Sequence, residues 1–378
     1  MPKQETVLIL QGGGALGAYQ AGVFEQLHAQ DFQLDWLIGT SIGAINCALI
    51  AGNPPETRVQ QLQAFWQSLA PPTRPNQPWS IFSPWLQQWG SAADAWNSWK
   101  NSSETIGTLT NGVPGFFKPR VGAGWDMNAK VPLSQNSFYD TGPLKDTLEK
   151  YINFDYLNEG RMRLSVCAVD IDSGQIKTFD SSKQHIDPEH IMASGALPPG
   201  FPPVAIEGRM YWDGGIYSNT PLEVFLEDTV ERDALCFMVD LWDPTEAAPE
   251  TMAEALARYK SIQYASRSKE QLETRQRIQN LQKAIRNLTE HLSAAERKKP
   301  EVQNLIRMGC EHTINVVHLI MKALPDDQYF KDIDFSSETV SKRWQAGLHD
   351  AKRALKHKAW LEPLPAHAGL VIHELVQE

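Results

Sequence analysis

The chain has 378 residues, 42% of them hydrophobic and 21% charged. A chain this long buries about three quarters of its extended surface on folding, so disorder, fibres and small stapled folds are excluded. Its formal net charge of −10 repels phosphate backbones, and no nucleic-acid partner is expected.

The first residues, MPKQETVLILQGGG, lack the apolar stretch and cleavage site of a signal peptide. No apolar run reaches the roughly 18 residues of a spanning helix, so any membrane contact is expected to be peripheral. The cysteines at 47, 167, 236 and 310 are too widely spaced for a CxxC redox or zinc pattern and suggest a reducing, cytoplasmic compartment. Val7 to Leu10 reads as a strand entering Gly12-Gly13-Gly14. Ala15, Tyr19, Val23 and Leu27 then recur every four residues, the buried stripe of a helix. Leu34 to Ile38 repeats the pattern, leading into Gly39-Thr40-Ser41-Ile42-Gly43 and the apolar stretch Ala44 to Ala51. Two strand-to-helix units in succession predict a parallel α/β sheet.

Residues 66–130 are rich in proline and carry seven of the chain's 12 tryptophans. An elaborated packing loop and a mobile lid that meets a greasy ligand are both open readings. Strand signals return at Leu164 to Val169 and Ile176 to Phe179. A helical Pro188 to Ser194 and the passage ALPPGFPP follow. Arg209 to Gly215 reads as a strand edge and tight turn, which puts Asp213 near a strand end, where α/β sheets collect functional groups. Ala234 to Val239 is another buried strand.

Residues 250–299 contain no glycine or proline, and Ile278, Leu281, Ile285, Leu288 and Leu292 step by three and four. This spacing predicts one long amphipathic helix or a pair of them. The segment holds eleven Lys or Arg against six Asp or Glu, a locally basic piece of an acidic protein. It reads as a solvated face, a surface for a homo-oligomer, or a docking face for an anionic membrane. Ile314 to Met321 then predicts a strand returning to the sheet, and Ser336 or Ser337 caps a last helix running to about Trp360. The helices at 250–299 are therefore expected to be an insertion in a single elaborated domain spanning 1–378, with 314–360 as its closing strand and helix.

Gly12, Gly14 and Gly17 fit the spacing of a dinucleotide loop, with Asp31 or Asp35 as its acidic residue, but Gly13 adds a third consecutive glycine and no Walker GK[ST] follows. The second cluster has the GxSxG form, between a strand and a helix, that holds a serine on a sharp turn with its hydroxyl exposed. Ser41 is thus the candidate nucleophile, with Gly39 and Gly43 making room for the turn. Donors for an oxyanion are available from the N–H groups of Gly12, Gly13 and Gly14 if the two strand ends are adjacent. His185 and His190 are weak candidates for a base. Asp213, followed by Gly214 and Gly215, is the better one if it is desolvated and touches the serine.

In order, GGGALG at 12–17, GTSIG at 39–43, ASGALPPGFPPV at 193–204 and DGG at 213–215 make the chain resemble the patatin-like phospholipases, over about residues 5–240, with a tail similar to an extended bacterial subgroup. The resemblance implies a three-layer α/β fold, a mostly parallel central sheet with helices on both faces, carrying here the long helical insertion. It also implies a Ser41–Asp213 dyad, an oxyanion loop at Gly12 to Gly14, no metal and no cofactor. The expected partner is a lipid or other acyl-ester substrate. Leu16 stands where many family members carry Arg or Lys, which weakens the case for a phospholipid against a soluble ester or a hydroxyacyl ester such as a storage-polyester oligomer. A noncatalytic lipid-binding scaffold is the rival from another class.

Overall fold

The computed structural model of the chain describes residues 4–70, 108, 110–120, 128–228, 232–246, 248–324, 331–362, 364–365 and 367–374. Most of 66–130 lies outside these residues, and the lid reading with it.

Eleven strands are described: β1 (Glu5–Leu10), β2 (Trp36–Thr40), β3 (Lys118–Pro119), β4 (Tyr139–Asp140), β5 (Arg163–Asp170), β6 (Ile176–Asp180), β7 (Val204–Ile206), β8 (Arg209–Asp213), β9 (Ala234–Asp240), β10 (Ile314–Ile320) and β11 (Leu370–Glu374). β3 and β4 form a small ribbon. The other nine build one sheet in the order β11-β10-β9-β1-β2-β5-β8-β7, with β6 also paired to β5. From β11 to β5 all neighbours are parallel, whereas β6 and β8 pair antiparallel with β5 and β7 pairs antiparallel with β8.

The central strands are apolar on both faces, as parallel strands covered by helices must be. Leu8 and Leu10 of β1 join one core; Val7 and Ile9 join the other. The first core is filled from α1 (Ala18–Ala29), α2 (Ile42–Ala51), α3 (Arg58–Leu69) and the C-terminal helix Ser337–His357, through side chains such as Phe24, Leu49, Phe65 and Trp344. The second receives Leu222 and Phe225. The result is three layers, helix, sheet, helix, the expected fold class.

A helix of 39 residues, Met252–Glu290, follows β9 and spans about 58 Å. It contributes Ala265 to the first core and Leu272 to the second. Helix does not continue to residue 299: Ser293 and Glu296 form a reciprocal capping box that starts a new turn at Ala294. The last helix is capped by Ser336, whose Oγ accepts from Thr339 N, and ends at His357; Trp360 sits in a separate 3-10 turn. β11 is too short and too mixed to be read from the sequence, yet it pairs in register with β10 from Ile314↔Leu370 to His318↔Glu374.

Candidate active site

The site is assembled by strand register. β2 ends with Thr40 opposite Cys167 of β5, and the next β5 residue, Ala168, is opposite Asp213 of β8. β6 occupies the other edge of β5, across residues 165–169. β2 and β8 therefore share one edge and meet end to end, which delivers Ser41 and Asp213 to the same point from opposite directions.

Ser41 itself has φ 55° and ψ −125°, a conformation non-glycine residues rarely adopt and one associated with functional turns. The turn closes because its flanks lack side chains. A Cβ on Gly43 would lie 2.2 Å from the Leu10 carbonyl oxygen, and one on Gly39 would lie 2.5 Å from the carbonyl carbon of Gly43. Ser194, at the end of helix Pro188–Ser194, braces the elbow: its Oγ accepts from Ser41 N at 3.0 Å and donates to Cys167 O at 2.6 Å.

Asp213 is 3% exposed. Burial pushes its carboxyl up from 3.8 to about 7, against the hydrogen bonds from Gly215 N–H and the Ser41 side chain that favour the ionised form. The Gly215 contact is 2.7 Å to Asp213 Oδ1, and Asp213 N donates to Ala196 O at 3.0 Å. The passage ALPPGFPP thus begins by anchoring the backbone of the carboxylate, a role the sequence left open.

The glycine loop stands over Ser41, but its three amides differ. Gly12 N donates to Asn219 O at 3.1 Å, so it is engaged and unavailable to an oxyanion, contrary to the expectation for this residue. Among the described residues, the N–H groups of Gly13 and Gly14 have no acceptor. Gly14 has φ +54°, and a Cβ there would lie 2.2 Å from Asp332 O; only glycine fits. Gly12 O is gripped in turn by Asn219 Nδ2 at 3.1 Å and by Trp242 Nε1 at 3.0 Å. Asn219, Trp242 and Ser194 escaped the sequence reading because each acts through a backbone group brought close only by the fold.

These residues line a cavity of about 280 Å³. Its far wall is aromatic, with Phe117 packed 4.8 Å from Tyr139 and 5.2 Å from Phe201, and Phe116 5.9 Å from Phe335. Near the glycine loop stand Trp242, Tyr264 and Asp332. Burial pushes the Tyr264 phenol up to about 12, with the charges of Asp213 and Asp332 adding to the effect. Among the described residues no Lys, Arg or His lines the cavity, and no group of three His, Cys, Asp or Glu is arranged for a metal. His190 is committed to the capping box of its own helix with Asp187, and His185 pairs with Asp187 on the surface. Asp35 accepts from Thr6 N at the opposite end of β2 from the glycine loop, so the dinucleotide spacing has no matching geometry.

A strained serine elbow, a buried carboxylate beside the serine and a loop with free amides, set beside a greasy cavity at the end of a parallel sheet, describe an acyl hydrolase of the α/β type. A family profile described as patatin-like phospholipase matches residues 8–226, and a second, described as patatin phospholipase (DUF3734), matches residues 262–367. The chain belongs to the patatin-like phospholipase family and is a lipid acyl hydrolase. No curated protein matches it. Among solved structures it is similar to VipD from Legionella pneumophila, at 13% identity with a TM-score of 0.36, covering 94% of this chain and 67% of that one. It is also similar to ExoU of Pseudomonas aeruginosa in complex with SpcU, at 15% identity with a TM-score of 0.30, covering 71% of this chain and 51% of that one. No helix of the described residues is long and apolar enough to cross a membrane.

Proposed function

We propose that the chain hydrolyses acyl esters through a Ser41–Asp213 dyad. The observation that carries this reading is the Asp213 carboxyl, buried, raised to about 7 and delivered by strand register to the turn that holds Ser41. An ordinary carboxylate is too weak a base to activate an alcohol, and one desolvated to near neutrality is better matched to the task. Ser41 Oγ attacks the ester carbonyl carbon and its proton passes to Asp213. The amides of Gly13 and Gly14 hold the oxyanion of the tetrahedral adduct. Collapse expels the alcohol, which takes the proton from Asp213. Water then attacks the acyl-enzyme, again giving a proton to Asp213, which passes it to the departing Ser41 Oγ, and a free acid leaves with the serine hydroxyl restored. A fluorophosphonate probe tests the nucleophile: it labels the wild type and not S41A. Labelling of S41A, or its unchanged turnover of an activated ester, would sink the nucleophile assignment.

A cavity without a described cation, together with Leu16 fully buried in the core, favours an uncharged acyl ester over an anionic phospholipid at this site. Parallel assays on glycerophospholipids, short acyl esters and hydroxyacyl oligomers decide it. Faster turnover of the anionic phospholipid refutes that preference.

A lipid hydrolase has to meet its substrate at an aggregate. The long helix turns Met252, Leu256, Tyr259, Leu281 and Leu288 outward, each at least 46% exposed, while Ser261, Ala265 and Leu272 face inward. This stripe, on the locally basic segment, supports contact with anionic vesicles. Replacing Leu281 and Leu288 by Ser should weaken vesicle binding at unchanged solution mass. A change of mass instead assigns the stripe to a second copy of the chain.

A further inference from the structure

Asp240 ends β9, between the strand that carries the glycine loop and β10. Its carboxylate is 3% exposed and held on both oxygens: Thr220 Oγ1 donates to Oδ1 at 2.8 Å, and His318 Nε2 lies 2.9 Å from Oδ2. Facing a carboxylate, that ring nitrogen carries the proton. Thr220 and His318 are buried to the same degree, at 2% and 3% exposure. Three apolar side chains would fill this space without the cost of desolvating a carboxylate and an imidazole, so stability alone gives little reason for the cluster.

What the cluster does have is position. Beside Thr220 is Asn219, which holds Gly12 by both backbone groups, accepting from its N and donating to its O, each at 3.1 Å. Immediately after Asp240, Leu241 N and Trp242 N donate to Gln11 Oε1 at 2.5 and 3.2 Å, and Trp242 Nε1 donates to Gly12 O at 3.0 Å. Two arms leave the Asp240 cluster: one through Thr220 and Asn219 ends on Gly12, and one through the chain itself ends on Gln11 and Gly12. Among the described residues, the other ring nitrogen of His318 is buried without a hydrogen-bond partner, 4.0 Å from Glu374, and the hydrogen bond that holds the ring there is the one to Asp240.

We propose that Thr220, Asp240 and His318 form a buried relay that keeps these two arms in register and so aims the amides of Gly13 and Gly14. His318 is then a positioning residue for hydrolysis, although it lies outside the cavity that holds Ser41. The inference rests on the dyad and oxyanion-loop reading above. It assigns His318 no contact with substrate; its effect travels through Asp240 along both arms.

The test is a double-mutant cycle on turnover of an activated ester, with S41A as the control for the site itself. H318L should lower kcat by roughly ten- to a hundredfold with KM within twofold of wild type, and H318Q, which keeps a donor for Asp240, should recover most of it. N219A should lose a similar amount, and N219A/H318L clearly less than the product of the two losses, because both act on the same loop. If H318L does not fold, T220V, of nearly the same shape, replaces it in the cycle. Losses that multiply, or a lowered Tm with unchanged kcat, overturn the relay while leaving the dyad standing. Unchanged turnover in S41A overturns the dyad, and the relay falls with it.

Discussion

Replacing Asp213 with Asn should move activity and stability in opposite directions. The carboxyl, raised from 3.8 to about 7 chiefly by burial, is disfavoured in its charged form by about 4 kcal/mol, since one pH unit corresponds to about 1.4 kcal/mol. The sign follows from proton counting. Between pH 3.8 and about 7 the unfolded chain has released a proton that the folded chain retains, so stability falls as pH rises and the full cost is borne above 7. Asn is spared that cost, and its Oδ1 can still accept from Gly215 N–H. At pH 8, D213N should therefore be more stable than wild type by up to about 4 kcal/mol. For a chain of 378 residues this is about 5 °C in Tm, and the difference should shrink toward zero near pH 4. Turnover should respond the other way. Wild-type kcat/KM on an activated ester should fall tenfold for each pH unit below about 7, as the base is protonated, and D213N should be slower by about a thousandfold with a flat profile. Thermal melts and initial rates across pH 4–9 measure both. Wild-type activity with a midpoint near 4, together with no stabilisation of D213N at pH 8, would refute the claim that a desolvated carboxylate is the base.

Ser194→Ala removes both the acceptor for Ser41 N and the donor to Cys167 O; two buried groups lose partners, so melting should show a loss of about 1–3 kcal/mol and kcat should fall with the misaimed elbow, whereas full activity would make Ser194 mere packing. Phe201→Trp enlarges a residue of the aromatic wall. Excluding two methylenes at about 0.8 kcal/mol each should cost long acyl esters roughly tenfold in kcat/KM relative to butyrate, and an unaltered chain-length profile would place the acyl chain elsewhere. Lys260→Met deletes the ammonium that holds both oxygens of Asp332 at 2.7 Å. It should destabilise by about 1–2 kcal/mol and lower kcat through the contact between Asp332 O and Gly14; unchanged kinetics would argue that this wall does not support the loop.

The parts of this structure that the sequence made readable are those whose physics is local. A GxSxG between an apolar run and a helical stripe carries its own turn geometry, and Gly39 and Gly43 are explained by atoms within a few residues and the adjacent strand. Alternation and apolar runs likewise marked β1, β2, β5, β9 and β10. The order of the strands could not be read this way. That β8 takes over the edge of β5 where β2 stops depends on a register between segments more than a hundred residues apart. The same distance hid the commitment of the Gly12 amide: three adjacent glycines look equivalent in the sequence, and Asn219, two hundred residues on, makes one of them different. β11 was illegible because five residues carry too little periodicity, and it forms on a partner strand already in place.

The segment beyond the nucleophile and carboxylate motifs is also part of how the site is made. The glycine loop is not a free-standing nest of amides. Its Gly12 is bonded from the turn after Asp213 and from Trp242 after β9, and its Gly14 closes against the carbonyl of Asp332. Asp332 is in turn held by Lys260 of the long helix, which also supplies Tyr264 to the cavity wall. Residues 262–367, matched by a separate profile, therefore meet residues 8–226 at the glycine loop proposed to hold the oxyanion. A loop fixed from three directions loses little freedom when charge appears on it, which is the physical requirement for electrostatic preorganisation. In the proposed mechanism the dyad supplies the nucleophile and the base, but the aim of the amides depends on the C-terminal third of the chain as much as on the glycine motif itself.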